Sequence, residues 1–511
     1  MAYFSPKIRD LKKILLFGAG RSATVLIDYL LKEAEKEIWK LIVVDADINL
    51  AKSKTGDSPF AEAISFDIND ETKRKEYISS ADIVISLLPP ALHTIAAKTC
   101  VELGKNLLTA SYVDEEIKKL RSEIENKGLL FLCEMGLDPG IDHMSAMKMI
   151  DEIHEAGGKI TSFKSHCGGL VAPESDDNPW HYKISWNARN VALAGKAGAH
   201  YKENSKDVHL KYEELFNPEK AIEFPEIGRL SYYPNRDSLS YMPLYGLENA
   251  QTFIRTTLRY PDFMYGWNNV IELKLTDETQ QYETNGKTLY EVFKEHMDKN
   301  GFGEWLSQKL TERFTETKSM LENLMKLMEA EEEAEKEGIE APGNFMTADE
   351  KGNIQDIEVD DVKNRSAAYV AAKMHEANLT LKQLFFLGLD DQETIINKGL
   401  CSAVDVLQFA MERKLVLDKD DKDMIVMMHE LEFGVGSKKS GVSSTLIVKG
   451  DDNLRTAMAK TVGLPLGIAA KLILNGKINL KGLHIPTHKE IYEPVLKELE
   501  EHGIRFHEEG N

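Results

Sequence analysis

The stretch KKILLFGAGRSATVLIDYLLKE at residues 12–33 constrains the fold more than any other part of this chain. Ile14, Leu15, Leu16 and Phe17 form a short apolar run that reads as a buried strand. Gly18-Ala19-Gly20 follows as a tight turn, and Val25, Leu26, Tyr29 and Leu30 recur at helical spacing. Residues 18–23 fit the pattern G-x-G-x-x-A. The first glycine of that pattern allows the turn, the second lets a pyrophosphate approach the backbone, and the small last residue permits close strand–helix contact. Amides at the helix N-terminus attract phosphate. Here the motif follows a strand, opens a helix, and has Asp45 at the end of the next apolar run. Gly18, Gly20, Arg21, Ser22 and Ala23 are therefore read as dinucleotide contacts. Ser86, Leu87 and Leu88, at a later strand end facing the same ligand, should line it through their backbone.

Asp45 sits where a carboxylate accepts bonds from the adenosine ribose hydroxyls. A 2′-phosphate there would face that charge and Asp47, and no arginine follows in VVDADIN. NAD is expected over NADP.

Further apolar runs at 82–88 (DIVISLL), 106–109 (NLLT) and 129–132 (LLFL) alternate with amphipathic segments at 91–102 and 115–126. Strands alternating with helices predict a doubly wound parallel sheet. Beyond residue 145 the pattern changes. Residues 160–170, 229–233 and 251–275 carry strand-like alternation, which predicts an α+β domain on a mixed sheet. Residues 303–335 read as a helix with Met320, Leu321, Leu324, Met325, Leu327 and Met328 on one stripe. An acidic run and a loop, APGNFMTADEKGNIQD, follow it, then a second helical stretch at 364–413. Strand patterns return at 423–430 and 443–449, and the tail holds two amphipathic helices.

The expected fold is thus α/β: a Rossmann-type sheet over 1–145, an α+β substrate domain over 146–302 and 414–452, and an all-helical insertion over 303–413. The segment 453–511 should pack back on the first domain. A chain of 511 residues is long enough for two or three such units.

The net charge of −21 argues against a nucleic-acid partner, which needs a basic surface. It does not exclude a small anionic substrate, since a few arginines reverse the field inside a cleft. The four cysteines form no CxxC pair, so a reduced, cytoplasmic setting is expected. The start, MAYFSPKIRDLKK, lacks the apolar core of a signal peptide. No uninterrupted apolar run approaches the roughly 18–20 residues that span a bilayer, so no membrane partner is expected.

The stretches VISLLPPALH (84–93), TASYV (109–113), GLDPGIDHMSAM (136–147), CGGLVAPESDDNPWHYKISWN (167–187), YPNRDS (233–238), TLRY (257–260), AMAKTVGLP (457–465) and KEIYEPVLKELEEHGI (489–504) together resemble the L-glutamate-forming saccharopine dehydrogenase family. The resemblance runs from the glycine turn to the C-terminus and, with no lysine–ketoglutarate reductase region ahead of it, suggests a monofunctional form. It implies oxidation of saccharopine, a secondary amine joining lysine to glutarate, to an imine that water splits into glutamate and 2-aminoadipate 6-semialdehyde. With NAD, it points to lysine degradation. A homodimer is expected. Two other readings stay open: a related dehydrogenase of a carboxylated polyamine or of lysine, and a catalytically silent dinucleotide-binding scaffold.

A substrate with three carboxylates needs cationic clamps, and the planar arginine fork suits them. Arg236 and Arg259 are the candidates, and the resemblance implies that both contact saccharopine. Asp138, beyond the carboxyl end of a predicted strand, falls near the nicotinamide end of the cleft. The resemblance implies that Asp138 contacts substrate and shares acid–base work with Tyr112 and Cys167. It further implies substrate contacts at Ser111, Thr257 and Leu258, and cofactor contacts at Asp67, Ile68, Val113, Ser185 and Trp186. Lys183 is a further candidate for a carboxylate or the cofactor. His93 is read as packing at a helix start. No metal is expected: Asp142 and His143 are adjacent, and Asp142 is read as the cap of a helix starting near His143.

Overall fold

The computed structural model describes residues 11–309, 344–348 and 354–510, with scattered positions between 311 and 326. Among the described residues, seven parallel strands form the first sheet. Their order is Gly482–His484, Leu130–Leu132, Asn106–Thr109, Ile83–Ser86, Lys13–Phe17, Lys40–Asp45, Ala61–Ser65. The Lys13–Phe17 strand lies between the second and fourth strands of the chain. The order therefore reverses beside it, the place where open α/β sheets bind ligands beyond their strand ends. The glycine turn leaves the sheet at that point. Both faces of the sheet are covered, so its strands are apolar throughout, with Ile14, Leu15, Leu16 and Phe17 all buried.

The last strand, Gly482–His484, comes from the far end of the chain and extends the sheet beside Leu130–Leu132. Its three residues are too short to carry an alternation, and the sequence reading missed it. The helix Ala457–Leu474 from the same segment packs on the helix Ala23–Glu37. That helix is long and apolar enough to cross a membrane by length and composition. Its apolarity serves burial instead: Gly463 lies directly against Leu26, and Gly467 against Tyr29.

A second, mixed sheet is centred on the strand Lys159–Val171. Thr252–Arg259 runs parallel to it on one side and Asp423–Val435 antiparallel on the other. Residues 251–275 do not form one long strand. Pro261 starts a helix, Pro261–Glu272, because its fixed φ and missing N–H suit the first helical turn.

The insertion is not all-helical. Asn344–Ala348 pairs antiparallel with Ile354–Glu358, and Leu400–Cys401 pairs with Tyr282–Glu283. Neither NFMTA nor IQDIE alternates with period two, so the stretch that reads as a loop carries no strand signal of its own. The helix Val359–Phe386 ends before Gly388, whose φ of 93° breaks the helical path, and Ala403–Lys414 is a separate helix. Of the stripe expected over 303–335, Met325 is exposed; Met320, Leu321, Leu324, Leu327 and Met328 lie outside the described residues.

Candidate active site

Asp138 sits at the tip of a tight loop that follows the strand Leu130–Leu132. Gly136 N–H donates to Pro139 O, and Ile141 N–H donates back to Gly136 O, both at 2.9 Å. The Asp138–Pro139 peptide bond is cis. Gly140 has φ 147°, and a Cβ there would lie 2.1 Å from Gly136 O. No other residue type fits, so the glycine of D-P-G is dictated by the crossing of the chain.

The loop is held from the second sheet by a residue that the sequence reading did not single out. Arg255, on Thr252–Arg259, donates from Nη2 to Asp138 Oδ1 at 2.6 Å and to Asp142 Oδ2 at 2.7 Å. It is 3% exposed, and its guanidinium lies 4.3 Å from the Tyr241 ring centroid. The sign that could have found it is a charged residue in the middle of the strand TFIRTTLR, four positions before Arg259.

Asp142 does not cap its helix. The helix is Ile141–Glu155 with Gly140 at the N-cap, so Asp142 falls in the first turn, where Oδ1 accepts from Gly140 N–H at 2.6 Å. Burial works against its charge. His143, Arg255 and the Gly140 amide outweigh that and hold its pKa below the usual carboxylate value. Asp138 goes the other way. Burial and then the Asp142 charge push it up to about 6, against the pull of Arg255.

Tyr112 Oη is 3.5 Å from Asp138 Oδ1, and the exposed Arg236 guanidinium lies 5.1 Å from the Tyr112 ring centroid. Burial raises the Tyr112 phenol. Cys167 pairs with Thr257 across neighbouring strands. Burial raises its thiol well above the ordinary value, and Asp138 and Asp142 add to that.

Arg259 is 5% exposed. It donates from Nη1 to Leu258 O at 2.8 Å, and its guanidinium lies over the rings of Tyr182 and Phe263. Its Nε has no hydrogen-bond partner. Among the described residues no carboxylate pairs with Arg259 or Arg236, whereas Arg255 is doubly paired. Lys183 differs from the sequence reading: it is 4% exposed and bound to Asp177 at 2.9 Å and Asp421 at 2.6 Å. Both partners are protein carboxylates, so Lys183 is a structural tie.

On the other side of the cleft, the glycine turn fits a dinucleotide. Gly18, at φ 98°, packs so close to Leu87 O that a Cβ would lie at 2.8 Å, while a Cβ at Gly20 would meet nothing within 4 Å. That open space lies at the start of the helix Ala23–Glu37, whose N-cap Ser22 makes no side-chain cap bond. Asp45 Oδ2 accepts from Ala19 N–H at 2.7 Å and Oδ1 from Asp47 N–H at 3.0 Å. Each oxygen keeps a second acceptor position for a ribose hydroxyl. Lys54 Nζ donates to Gly20 O. Burial draws its pKa down to about 8, against Asp45 and Asp28. Arg21 reaches across to the second domain, where Nη1 donates to Ile184 O at 2.8 Å. This brings Ser185 and Trp186 beside the turn. Ser185 is buried, and Trp186 Nε1–H donates to Tyr182 Oη at 3.3 Å.

Asp67 and Ile68 follow the strand Ala61–Ser65, with Asp67 exposed and Ile68 buried. Ile68 O accepts from Arg74 Nη1 at 2.6 Å. His93 does more than pack: Nδ1 shares a hydrogen bond with Ser86 Oγ at 2.9 Å and Nε2 one with Ser111 Oγ at 2.6 Å. Burial lowers its pKa to about 4, so it is a neutral brace between two loops of the cleft. Leu87 N–H donates to Phe17 O at 2.8 Å, and Leu87 and Leu88 are half-buried just past that strand end.

The chain matches the family descriptions "Saccharopine dehydrogenase NADP binding domain" over residues 14–132 and "Saccharopine dehydrogenase C-terminal domain" over residues 136–504. It is 31% identical to the saccharopine dehydrogenase [NADP(+), L-glutamate-forming] of Schizosaccharomyces pombe, covering 97% of this chain and 98% of that protein. It is 32% identical to the alpha-aminoadipic semialdehyde synthase of Arabidopsis thaliana, over 99% of this chain; the chain spans 45% of that protein's length. The apo structure of saccharopine dehydrogenase (L-Glu forming) from Saccharomyces cerevisiae superposes with a TM-score of 0.74 at 28% identity, covering 98% of this chain and 100% of that one.

Proposed function

The chain belongs to the saccharopine dehydrogenase family of oxidoreductases, and from that premise we propose that it oxidises saccharopine with NAD and water to L-glutamate and 2-aminoadipate 6-semialdehyde. Lysine degradation is the setting we infer, with the reverse reaction open to the same site.

Arg259 carries this reading. A buried guanidinium without an anion is unfavourable, and a substrate carboxylate completes it. Saccharopine brings three carboxylates, and Arg236 above Tyr112 offers a second fork. The nicotinamide, when bound, supplies the hydride acceptor for the lysine ε-carbon. The protein supplies the proton traffic. Asp138, pushed up to about 6, is ionised at neutral pH yet close enough to it to take a proton and return it. It can relieve the substrate amine of its proton before oxidation and release that proton to solvent; ionised again, it can deprotonate the water that attacks the imine and return this second proton to the departing glutamate nitrogen as the C–N bond breaks. Arg255 fixes its direction. Tyr112 and Cys167 have raised pKa values, so at neutral pH they can donate a proton or bind a carboxylate but cannot act as the base.

Asp45 supports NAD. NADP is the second reading, supported by Lys54 at the same turn and by the NADP(+) in the names of relatives. A homodimer and a cytoplasmic location complete the proposal. Steady-state rates with saccharopine, lysine and a carboxylated polyamine, each with NAD and NADP, test it. Saccharopine with NAD should be fastest. A strong preference for a polyamine defeats the substrate assignment, and dinucleotide binding without reduction leaves a silent scaffold.

A further inference from the structure

Behind the loop of Asp138 lies a buried carboxylate that the reaction just described leaves unused. Glu134 is 4% exposed and has φ 57°, a left-handed conformation that disfavours any residue with a Cβ. Such strain persists only where the surroundings fix a residue from several sides, and it gathers at functional sites. The surroundings here do so. Glu134 N–H donates to Ser111 O at 3.1 Å, and Glu134 Oε1 accepts from Val113 N–H at 3.0 Å. These two bonds close on either side of Tyr112.

The other carboxylate oxygen faces the second sheet. Oε2 accepts from His143 Nε2–H at 2.8 Å and from Tyr241 Oη–H at 3.2 Å. The Tyr241 ring is the one beneath the Arg255 guanidinium, and the His143 ring stacks on it with centroids 5.3 Å apart. His143 is 0% exposed, and its Nδ1 shares a hydrogen bond with Tyr245 Oη at 2.5 Å. Glu134 therefore ties the loop that carries Tyr112 to the ring that supports Arg255. Both of those residues reach the same oxygen of Asp138, Oδ1.

We propose that Glu134, backed by His143 and Tyr241, is a positioning residue that clamps Tyr112 and Arg255 in register about Asp138. The consequence for turnover rests on the saccharopine reading; the clamp itself does not. The Tyr112–Asp138 contact is long, at 3.5 Å, so a small shift of the loop breaks it. In E134A, Val113 N–H and His143 Nε2–H lose their acceptor. In E134Q, the side-chain oxygen still serves Val113, and His143 can meet the amide by changing tautomer.

The test combines two readouts. Hydrogen exchange at Val113 in the free protein reads the clamp, and steady-state kinetics with saccharopine read its effect. E134A should exchange faster at Val113 and lose about 10- to 100-fold in kcat, with the saccharopine KM and the dinucleotide Kd by calorimetry little changed. E134Q should restore slow exchange and most of the rate. In a Y112F background the E134A loss should shrink, because the part of it that passes through the Tyr112 hydroxyl is already gone. Unchanged exchange in E134A, or losses in E134A and Y112F that multiply, overturns the proposal. If E134A does not fold, E134D, which withdraws the oxygen from Val113 but keeps the charge, takes its place with the same expected outcomes. A wild-type protein inactive on saccharopine overturns the functional reading alone, and the exchange result then judges the clamp.

Discussion

Arg259→Met separates binding from stability. Arg259 is 5% exposed, and among the described residues it has no carboxylate partner. Removing one partner of a buried charged pair costs about 2–4 kcal/mol of binding when the other partner is the ligand. That corresponds to a saccharopine KM raised about 30- to 700-fold. Stability follows a different course. Methionine keeps the bulk against Tyr182 and Phe263 and forfeits the two cation–ring contacts, worth about 0.5–2 kcal/mol each. It also relieves a buried charge that, among the described residues, no carboxylate pairs, so the two effects largely offset. Arg255→Met is the contrast, since it strands Asp138 and Asp142 and should cost about 3–5 kcal/mol. Initial rates over a wide saccharopine range and urea unfolding of both variants make the comparison. An unchanged KM in Arg259→Met refutes the clamp. A loss of stability equal to that of Arg255→Met refutes the argument that the guanidinium is unpaired.

The remaining predictions concern protons and the cofactor. On the proposed mechanism Asp138 works ionised, and its pKa is raised to about 6, so kcat/KM should fall as the pH drops through that value; a flat profile from pH 5 to 7 removes Asp138 as the base. Asp142→Asn deletes a charge that raises Asp138, so the acid limb should move to lower pH, and an upward shift reverses the assigned sign. Asp138→Ala should lower kcat strongly while dinucleotide affinity, read by calorimetry, stays intact; undiminished turnover takes it out of the chemistry. Asp45→Asn keeps an acceptor for Ala19 N–H but loses the charge, so the ratio of NADP to NAD efficiency should rise, and an unmoved ratio means the ribose binds elsewhere.

The parts of the site legible in the sequence are those made by local chain geometry. The glycine turn, its strand and the acid of the next strand occupy one continuous βαβ unit, and Gly140 is required by a loop that crosses itself at Gly136. The rest depends on contacts between distant segments. Arg255 meets Asp138 and Asp142 across more than a hundred residues, and Glu134 meets Tyr241 across a similar span. No spacing rule links such pairs. Lys183 shows the opposite failure: its neighbourhood in HYKISW suggests a ligand contact, but Asp421, far along the chain, already neutralises it. The strand Gly482–His484 was missed because three residues give period-two alternation too little length to stand out, and the hairpin in the insertion because neither of its five-residue strands alternates.

The most direct measurement is a crystal structure with a dinucleotide and saccharopine bound together. The nicotinamide ring should lie between the strand end at Ser86 and the loop of Asp138, with the substrate amine within hydrogen-bond reach of Asp138 and carboxylates on Arg259 and Arg236. A ring seated away from Asp138 and Cys167, or a saccharopine whose carboxylates leave Arg259 empty, would contradict the account.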